Sequence, residues 1–337
     1  MGTVVYSSVL QRWFGREGGR EDAQLHESLR GGDIRGEELK RVALVTSEAF
    51  ADLYEDDRLL IPALADLGIA SQPAVWSDGS VDWSSFDALV MRSPWDYFEH
   101  AARFRAWLDA RIAEGVLLCN PREILDWNFD KRYLQDLARA GVALVPTICI
   151  APREKADIAA LARARGWDDI VVKPTIGGGG YRVLRCRLEE INRHAAEIEK
   201  TLEDRGVLVQ PFLPEIQSGG ELSLLFFEGV YSHAVCKRPK TGDYRVQFQY
   251  GGTDEVVSVS DEIVAQARTC VEHPPVPTVY ARVDGVIQDG RFLLMELEIF
   301  EPLMFLSYHP EAPARFARAI ANYLGLTRSA PRKPKLK

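Results

Sequence analysis

Four consecutive glycines, Gly177, Gly178, Gly179 and Gly180, follow the apolar run DIVVKP, which ends in Lys173 and Pro174. Glycines between two strand-like runs allow positive φ angles and a close approach of the backbone to a ligand. The N–H groups of such a loop can hold phosphate oxygens. The segment is neither a Walker A loop nor a G-x-G-x-x-G motif. It predicts either a phosphate-binding loop or a flexible hairpin tip, and the glycines alone do not decide between the two.

Three carboxylates near the end of the chain form a second candidate group. Asp284 lies in RVDGV, and Glu296 and Glu298 lie two positions apart in LLMELEIF. Residues two apart on a strand share a face, and a hairpin that turns at Asp289 and Gly290 would bring Asp284 close to both glutamates. Converging carboxylates repel one another unless cations neutralise them. We therefore predict a Mg²⁺ site rather than a solvated polar face, because Mg²⁺ prefers oxygen ligands and bridges phosphates.

Basic side chains stand near the ends of the predicted strands. Arginine offers bidentate contacts to phosphate, and lysine offers a point charge. Taken singly, each such residue is typical of a surface or a salt bridge. Their positions predict that they converge on phosphate groups, and the set is Lys131, Lys173, Lys237, Arg238, Arg245 and Arg282.

The elements that must position these groups begin at Arg41, where RVALVTSEA predicts a buried strand. A helix is predicted in DDRLLIPALADLG, with Leu59, Leu60, Leu64 and Leu67 on one face. The runs FDALVMRS and VLLCNP predict further strands, with a helix at about residues 104–112 between them. Such alternation indicates a small parallel sheet flanked by helices.

Ligands of parallel sheets bind beyond the carboxyl ends of the strands. The turn after FDALVM therefore predicts a substrate-facing edge made by Arg92, Ser93, Trp95 and Asp96. The alternative is a simple Ser-Pro turn with a packed Trp95, and the sequence favours the two equally.

Beyond residue 128, helices are predicted in DKRYLQDLARAG, in EKADIAALARARG and at about residues 189–205, and each leads to a strand. The strands DIVVKP and GVLVQPFL are followed by runs that are typical of antiparallel pairing: ELSLLFF, VYSHAVCKRP, YRVQFQYGG and the pair around Asp289 and Gly290. Glu228 and Gly229 are predicted to form another hairpin turn.

Composition limits the class of protein. A length of 337 residues suits about two domains, and the net charge of −8 disfavours a nucleic-acid surface. Five scattered cysteines without metal spacing suggest reduced thiols, and no long apolar run predicts export or a membrane span. We expect a cytoplasmic protein with no nucleic-acid or membrane partner.

The order of these segments resembles the ATP-grasp superfamily. Lys131, VVKP with its glycine loop, LVQPFLPEI, RVDGV and MELEIFEP cover roughly residues 41–326. The chain is similar to glutathione-synthetase-like ligases and the cycloserine-biosynthesis type of ATP-dependent carboxylate–amine ligase, and RVD also resembles D-alanine–D-alanine ligase. The resemblance implies an α/β (α+β) fold. It implies an N-terminal extension (1–40), a preATP-grasp domain (41–128), two ATP-grasp subdomains (129–213 and 214–326) and a basic tail (327–337).

The resemblance also implies roles for individual residues. ATP phosphates would be held by Lys131, Lys173 and the lid Gly177 to Gly180, adenine by Gln210, Phe212 and Leu213, and ribose by Glu221. Mg²⁺ would be held by Asp284, Glu296 and Glu298, with Arg282, Lys237 and Arg245 facing the transferring phosphoryl group or the substrate. The sequence departs from glutathione synthetase and D-alanine–D-alanine ligase at Glu298, where these enzymes usually have Asn. It also departs from the family at Glu301, a further candidate substrate residue, where the family often has a small polar one.

The activity implied is a Mg²⁺- and ATP-dependent ligation of a small amino-acid-like carboxylate to an amine through an acylphosphate. Two alternatives remain open. One is a cyclase or phosphotransferase that acts on a single small substrate, and the other is a nucleotide-binding regulatory protein without turnover. Relatives of this kind are commonly dimers, so a homodimer is among the expected states.

Overall fold

The first of three sheets is parallel, as the alternation of strands and helices predicts. The structure is a computed structural model that describes residues 40–326, so the tail and all but the last residue of the predicted extension lie outside it. The strand order is β2-β1-β3-β4, with β1 at Arg41–Thr46, β2 at Ala70–Val75, β3 at Ala88–Ser93 and β4 at Leu117–Cys119. All residues of β1 except Arg41 are buried, which explains its uninterrupted apolar run.

Four helices lie between these strands and after them in the chain: α1 at Leu60–Ala65, α2 at Ala101–Ala113, α3 at Arg122–Asn128 and α4 at Tyr133–Arg139. The predicted apolar face of the first helix is partly wrong. Leu60 and Leu64 are buried, but Leu59 and Leu67 are each 38% exposed. The helix has only six residues, so both of these leucines lie outside it.

The second sheet is antiparallel, in the order β5-β8-β6-β7. Its strands are β5 at Ile148–Ile150, β6 at Asp169–Pro174, β7 at Leu184–Arg187 and β8 at Val207–Pro211, with α5 at Ile158–Arg163 and α6 at Ala195–Leu202 packed on it. The four glycines lie in the connection between β6 and β7. A short helix, α7, follows at Glu215–Ser218.

The third sheet is a five-stranded antiparallel sheet in the order β11-β10-β9-β12-β13. Its strands are β9 at Glu221–Phe227, β10 at Val230–Arg238, β11 at Thr253–Val257, β12 at Tyr280–Gln288 and β13 at Arg291–Glu298, with α8 at Asp261–Glu272 and α9 at Ala312–Tyr323 beside it. Both predicted hairpin turns are present, and Glu228, Gly229, Asp289 and Gly290 all have positive φ. This pairing of positive angles is what a two-residue turn between twisted strands requires.

The predicted strand over residues 244–252 is wrong. In this part of the chain only Thr253–Val257 pairs with β10, and the residues before Thr253 form a loop that folds back on itself. Gly252 shows why, because a Cβ placed on it would lie 2.0 Å from the carbonyl oxygen of Val246. This close approach of two backbones needs glycine and excludes an extended strand.

The parallel sheet and the five-stranded sheet share a hydrophobic core. Val42, Val90, Leu225 and Tyr280 lie in one buried cluster with Phe316 of α9. The whole is a mixed α/β fold of the α+β kind, which confirms the predicted class. None of the helices between residues 40 and 326 is long and apolar enough to cross a membrane.

Candidate active site

A cavity of about 580 Å³ is lined by residues of the second and third sheets, by the loops between their strands, and by residues that follow strands β1 and β3 of the parallel sheet. Most of the residues singled out in the sequence line it: Trp95, Lys131, Lys173, Gly177, Gly178, Gly179, Gly180, Gln210, Phe212, Leu213, Glu221, Lys237, Arg245, Arg282, Asp284, Glu296, Glu298 and Glu301. Its volume falls within the usual range for small-molecule sites. Residues from distant parts of the chain therefore meet in one place.

Lys131 ties the glycine loop to the carboxylates of β13. Its ammonium donates to the carbonyl oxygen of Gly177 and lies 3.0 Å from an oxygen of Glu296. Burial opposes its charge, but the neighbouring Glu296 raises the pKa of Lys131 above its ordinary value. Lys131 is therefore a fixed positive charge directly under the loop.

Lys173 lies at the end of β6 and faces the same cavity. Burial lowers the pKa of Lys173, and the nearby charge of Lys131 adds to this, while Glu296 acts against it. Its ammonium forms no ion pair within 4.0 Å among the residues that the structure describes. A buried cation of this kind is stabilised when an anion enters the cavity.

Asp284 is held by three donors in the middle of the five-stranded sheet. Ser223 donates to it over 2.6 Å, Lys237 lies 3.2 Å away, and Arg282 makes a bidentate contact of 2.9–3.1 Å. Although burial opposes its charge, Arg282 and Lys237 hold the pKa of Asp284 well below the ordinary range. The Asp284 carboxylate is therefore ionised.

The two glutamates of β13 each face a different cation. Asp284 and Glu296 are directly opposite in the β12–β13 ladder, as are Arg282 and Glu298. Arg282 lies 2.7 Å from an oxygen of Glu298. Burial, together with the neighbouring Glu296 and Asp284 carboxylates, raises the pKa of Glu298 to about 8 against the effect of Arg282.

The predicted convergence of three carboxylates is only partly met. Between residues 40 and 326, no group of three or more His, Cys, Asp or Glu side chains is arranged to hold an ion by itself. Lysine and arginine neutralise the carboxylates instead. The donor set still suits Mg²⁺, which is usually held by one or two carboxylates together with phosphate oxygens. Glu296 and Glu298, on one face of β13, are the side chains that fit this role best.

Glu221 and Lys237 form a close pair across β9 and β10. Their side chains approach to 2.5 Å, and both line the cavity. Burial raises the pKa of Glu221 against the opposing effect of Lys237. Lys237 thus bridges two carboxylates, Glu221 and Asp284, which the sequence did not predict.

The other end of the cavity is apolar and lies beside β8. Gln210 donates to Thr147 over 2.8 Å, and the Phe212 amide donates to the carbonyl oxygen of Asp169. The guanidinium of Arg185 lies 3.3 Å from the centre of the Phe212 ring and also pairs with Asp169. Arg185 therefore fixes the ring of Phe212. The residue type of Arg185 alone did not indicate this role.

A second loop, residues 239–252, meets the glycine loop over the cavity. Gln249 donates to the carbonyl oxygen of Gly179 over 2.7 Å, and Tyr250 would contact any Cβ on Gly180 at 3.0 Å. Arg245 pairs with Asp243 at 2.9 Å and lies 3.8 Å from the centre of the Tyr250 ring. Arg245 thus lines the cavity while it supports this loop.

Three residues of the predicted substrate edge do not line the cavity. Arg92 is fully buried, lies 3.4 Å from Asp57, and has its guanidinium near the rings of Tyr280 and Phe316. Ser93 shares a hydrogen bond with Thr46, and Asp96 accepts one from Trp76. Ser93 and Asp96 thus hold the N-terminal part of the chain together, and Arg92 ties β3 to the C-terminal part. The placement of Arg92, Ser93 and Asp96 at a substrate surface is thereby corrected.

Trp95 and Glu301 do reach the cavity, and the two are joined. The indole N–H of Trp95 donates to the carbonyl oxygen of Glu301 over 3.0 Å. Burial raises the pKa of Glu301 to about 7, although Lys131 and a hydrogen bond with Tyr97 lower it. Phe50 and Phe98 also line this part of the cavity and were not predicted. The aromatic-rich run SPWDYF is the sequence feature from which Phe98 could have been identified.

Segment 299–305, which contains Glu301, is held by side chains rather than by a neighbouring strand. Buried carbonyl groups need donors, and here six side chains supply them. The carbonyl oxygens of Ile299, Phe300, Glu301, Pro302, Leu303 and Phe305 accept from Asn120, Tyr280, Trp95, Arg92, Arg282 and His233, in that order. Donors from the parallel sheet and from the five-stranded sheet thus fix the position of Glu301.

Comparison with known proteins agrees with this arrangement. Residues 42–120 match the family described as the N-terminal domain of D-cycloserine synthetase DcsG, and residues 137–273 match the ATP-grasp domain of prokaryotic glutathione synthetase. The cycloserine biosynthesis protein DcsG of Streptomyces lavendulae is 33% identical over 84% of this chain and 98% of its own length. The glutathione synthetase of Vibrio parahaemolyticus is 25% identical over 64% of this chain and 68% of its own.

Solved structures show the same similarity. The crystal structure of D-cycloserine synthetase DcsG is 32% identical, with a TM-score of 0.78 over 84% of this chain and 99% of that one. The D-alanine–D-alanine ligase of Bacillus anthracis in complex with ATP is 14% identical, with a TM-score of 0.56 over 84% and 96%, and shows the fold alone. The chain belongs to the family of ATP-grasp ligases that includes the cycloserine biosynthesis protein DcsG, and it is an ATP-dependent carboxylate–amine ligase of specialised metabolism.

Proposed function

We propose that the enzyme phosphorylates the carboxylate of a small amino-acid-like substrate and that a nitrogen nucleophile then captures the acylphosphate. The observation that carries this is the joint lining of one cavity by Lys131, Lys173, Arg282 and the β13 carboxylates beneath a glycine loop. Cations placed around a transferring phosphoryl group stabilise its charge, and this is the main task of a protein in such reactions.

In the first step a carboxylate oxygen of the substrate attacks the γ-phosphorus of ATP, the bond to the bridging oxygen breaks, and ADP leaves. In the second, the nitrogen lone pair attacks the acyl carbon, phosphate leaves, and the nitrogen loses a proton. Lys131 and Lys173 would hold the phosphates, and Arg282 the transferring group. Gln210, Phe212 and Leu213 would bind adenine, Glu221 the ribose, and Lys237 and Arg245 would face phosphate or substrate.

Mg²⁺ belongs to the proposal as the partner of ATP. Glu296 and Glu298 would hold it, with Asp284 behind them. When bound, it would neutralise part of the charge of the ATP phosphates. The residues of the chain orient the substrate, and the two loops over the cavity exclude water from the acylphosphate.

We also propose that the chain is divided into domains at residues 41–128, 129–213 and 214–326. We further propose that it forms a homodimer, which sedimentation equilibrium would measure.

Hydroxylamine trapping tests the first step without knowledge of the natural nucleophile. An acylphosphate reacts with hydroxylamine to give a hydroxamate and phosphate, so each activated carboxylate is recorded as a coloured product. We expect ADP and hydroxamate to form in equal amounts with at least one member of a panel of D- and L-amino acids. Glu296→Gln should lose roughly 10²–10³-fold in rate, whereas Glu114→Gln at the surface should not. ADP release without hydroxamate from any carboxylate would contradict the proposal.

A second candidate, ring closure within one substrate, is favoured by a specific observation. The similarity to the cycloserine biosynthesis protein DcsG covers 98% of that protein and includes its N-terminal domain. A cyclase would release ADP and phosphate with a single substrate that carries both carboxylate and nitrogen, with no second amine. A strict requirement for two substrates would exclude this candidate and leave the intermolecular ligase.

A further inference from the structure

The part of the cavity around Glu301 lies next to the glycine loop, away from the apolar end at Phe212. A Cβ placed on Gly178 would be 3.7 Å from Glu301 Oε1 and 3.3 Å from the Phe98 ring. Glu301 therefore lies beside the position that a substrate would occupy when the carboxylate of the substrate contacts the γ-phosphate of ATP under the glycine loop. This position depends on the proposed function, and the inference below deepens it.

Aromatic rings line the same cavity as this carboxylate. Phe50 and Trp95 meet edge to face with ring centres 5.2 Å apart, and Phe98 lies 4.9 Å from Tyr181. All four line the cavity. The faces of aromatic rings attract cations, and the attraction grows when water is excluded. The walls and the carboxylate thus favour the same kind of ligand group.

Glu301 has no cation of its own in the described chain. The nearest lysine, Lys131, is engaged 3.0 Å away by Glu296 and by the carbonyl oxygen of Gly177. No ion pair within 4.0 Å involves Glu301 among residues 40–326. A carboxylate in a largely apolar setting is costly unless a positive group pairs with it. The natural partner is therefore one that arrives with the substrate.

We propose that Glu301, together with the rings of Phe50, Trp95 and Phe98, forms the subsite for the ammonium group of the substrate. The lysines and Arg282 attract the substrate carboxylate, and Glu301 repels it. A zwitterion therefore binds in one orientation, with its carboxylate toward the phosphates and its ammonium toward Glu301. The enzyme selects free amino acids over the corresponding hydroxy acids and N-acyl acids.

Binding of a simple ammonium ion tests the subsite without any turnover. The full chain, saturated with a non-hydrolysable ATP analogue and Mg²⁺, would be titrated with ethylammonium and with ethanol while tryptophan fluorescence is recorded. We expect saturable binding of ethylammonium only, at least tenfold weaker in Glu301→Gln and unchanged in Glu114→Gln. Phe50→Leu, which leaves the carboxylate in place, should weaken it roughly two- to thirtyfold. Absence of saturable ethylammonium binding, or equal binding of ethanol, would overturn the proposal.

Turnover gives the second readout. For the best amino acid in the trapping assay, Glu301→Gln should raise its KM at least tenfold and leave the KM for ATP within twofold. The preference over the matching 2-hydroxy acid should disappear. Equal weakening of Mg²⁺–nucleotide binding would make Glu301 a metal ligand instead and overturn the proposal. If no carboxylate is activated, the proposed function fails, and the ethylammonium titration still decides the subsite.

Discussion

Lys173 is buried and has no ion-pair partner in the described chain. Removing its charge should therefore weaken the binding of ATP without lowering the stability of the nucleotide-free protein. In Lys173→Met, loss of a charged contact to phosphate should raise the Kd for ATP roughly tenfold to a hundredfold. The same change removes a desolvated ammonium, so the nucleotide-free protein should be as stable as the wild type or more so. Calorimetric titration and thermal unfolding would measure the two effects. Lys200→Met on α6 is the control, and a large loss of stability without nucleotide would contradict this account.

His233 makes stability depend on pH. Burial, together with the nearby His309 and Arg315, lowers its pKa to about 4 against the effect of hydrogen bonds to the backbone of Phe305 and Met304. The unfolded chain, with a histidine pKa of about 6.5, takes up the proton first. Stability is therefore full above pH 6.5 and falls as the pH drops towards 4, by on the order of 3 kcal/mol.

Urea unfolding at several pH values would measure this loss. His233→Gln keeps a donor for the Phe305 carbonyl and should flatten the dependence between pH 6.5 and 4. His309→Gln, whose ring lies 5.6 Å from that of His233, serves as the matched control. An unchanged slope in His233→Gln would assign the acid sensitivity to other groups.

At the scale of elements, the contact between the two loops over the cavity predicts a role for one glycine. Gly180 and Gly290 have nearly the same φ, 79° and 77°, but only Gly180 has neighbours within 4 Å of a would-be Cβ. Gly180→Ala and Gly290→Ala should each cost about 1–2 kcal/mol in stability. Only Gly180→Ala should also lower kcat/KM for ATP, by several-fold, because its methyl group meets Tyr250. Equal kinetics in the two variants would show that the loops do not close on each other during turnover.

Elements with a strong local pattern could be predicted, and those set by distant contacts could not. Alternation and turn residues located β12 and β13 and so brought Asp284 opposite Glu296. The edge strand β2 was missed, because Pro73 and half-exposed polar residues hide its period. Residues 244–252 have the composition of a strand, but a close backbone contact at Gly252 prevents one. The cavity residues followed largely from the family resemblance, whereas the pairing of Lys237 with Glu221 depends on three-dimensional packing.

At the scale of the whole molecule, the buried pair of Arg92 and Asp57 joins the parallel sheet to segment 299–305. Burial raises the pKa of Asp57 to about 6 against the effect of Arg92. Arg92→Met leaves Asp57 buried without its partner and removes the donor to Pro302, so it should destabilise the fold by about 3–5 kcal/mol. The double variant Asp57→Asn, Arg92→Met should recover a large part of this loss. Additive losses in urea unfolding would argue against coupling.

The six side-chain hydrogen bonds to segment 299–305 have a consequence for recombining related enzymes. The donors Arg92, Trp95 and Asn120 come from the N-terminal half, whereas the segment itself follows β13. A chimera whose N-terminal half comes from a relative with other residues at these three positions would leave carbonyl groups without donors and displace Glu301. We therefore expect substrate preference to be transferred to a chimera only when the first domain and segment 299–305 are transplanted together.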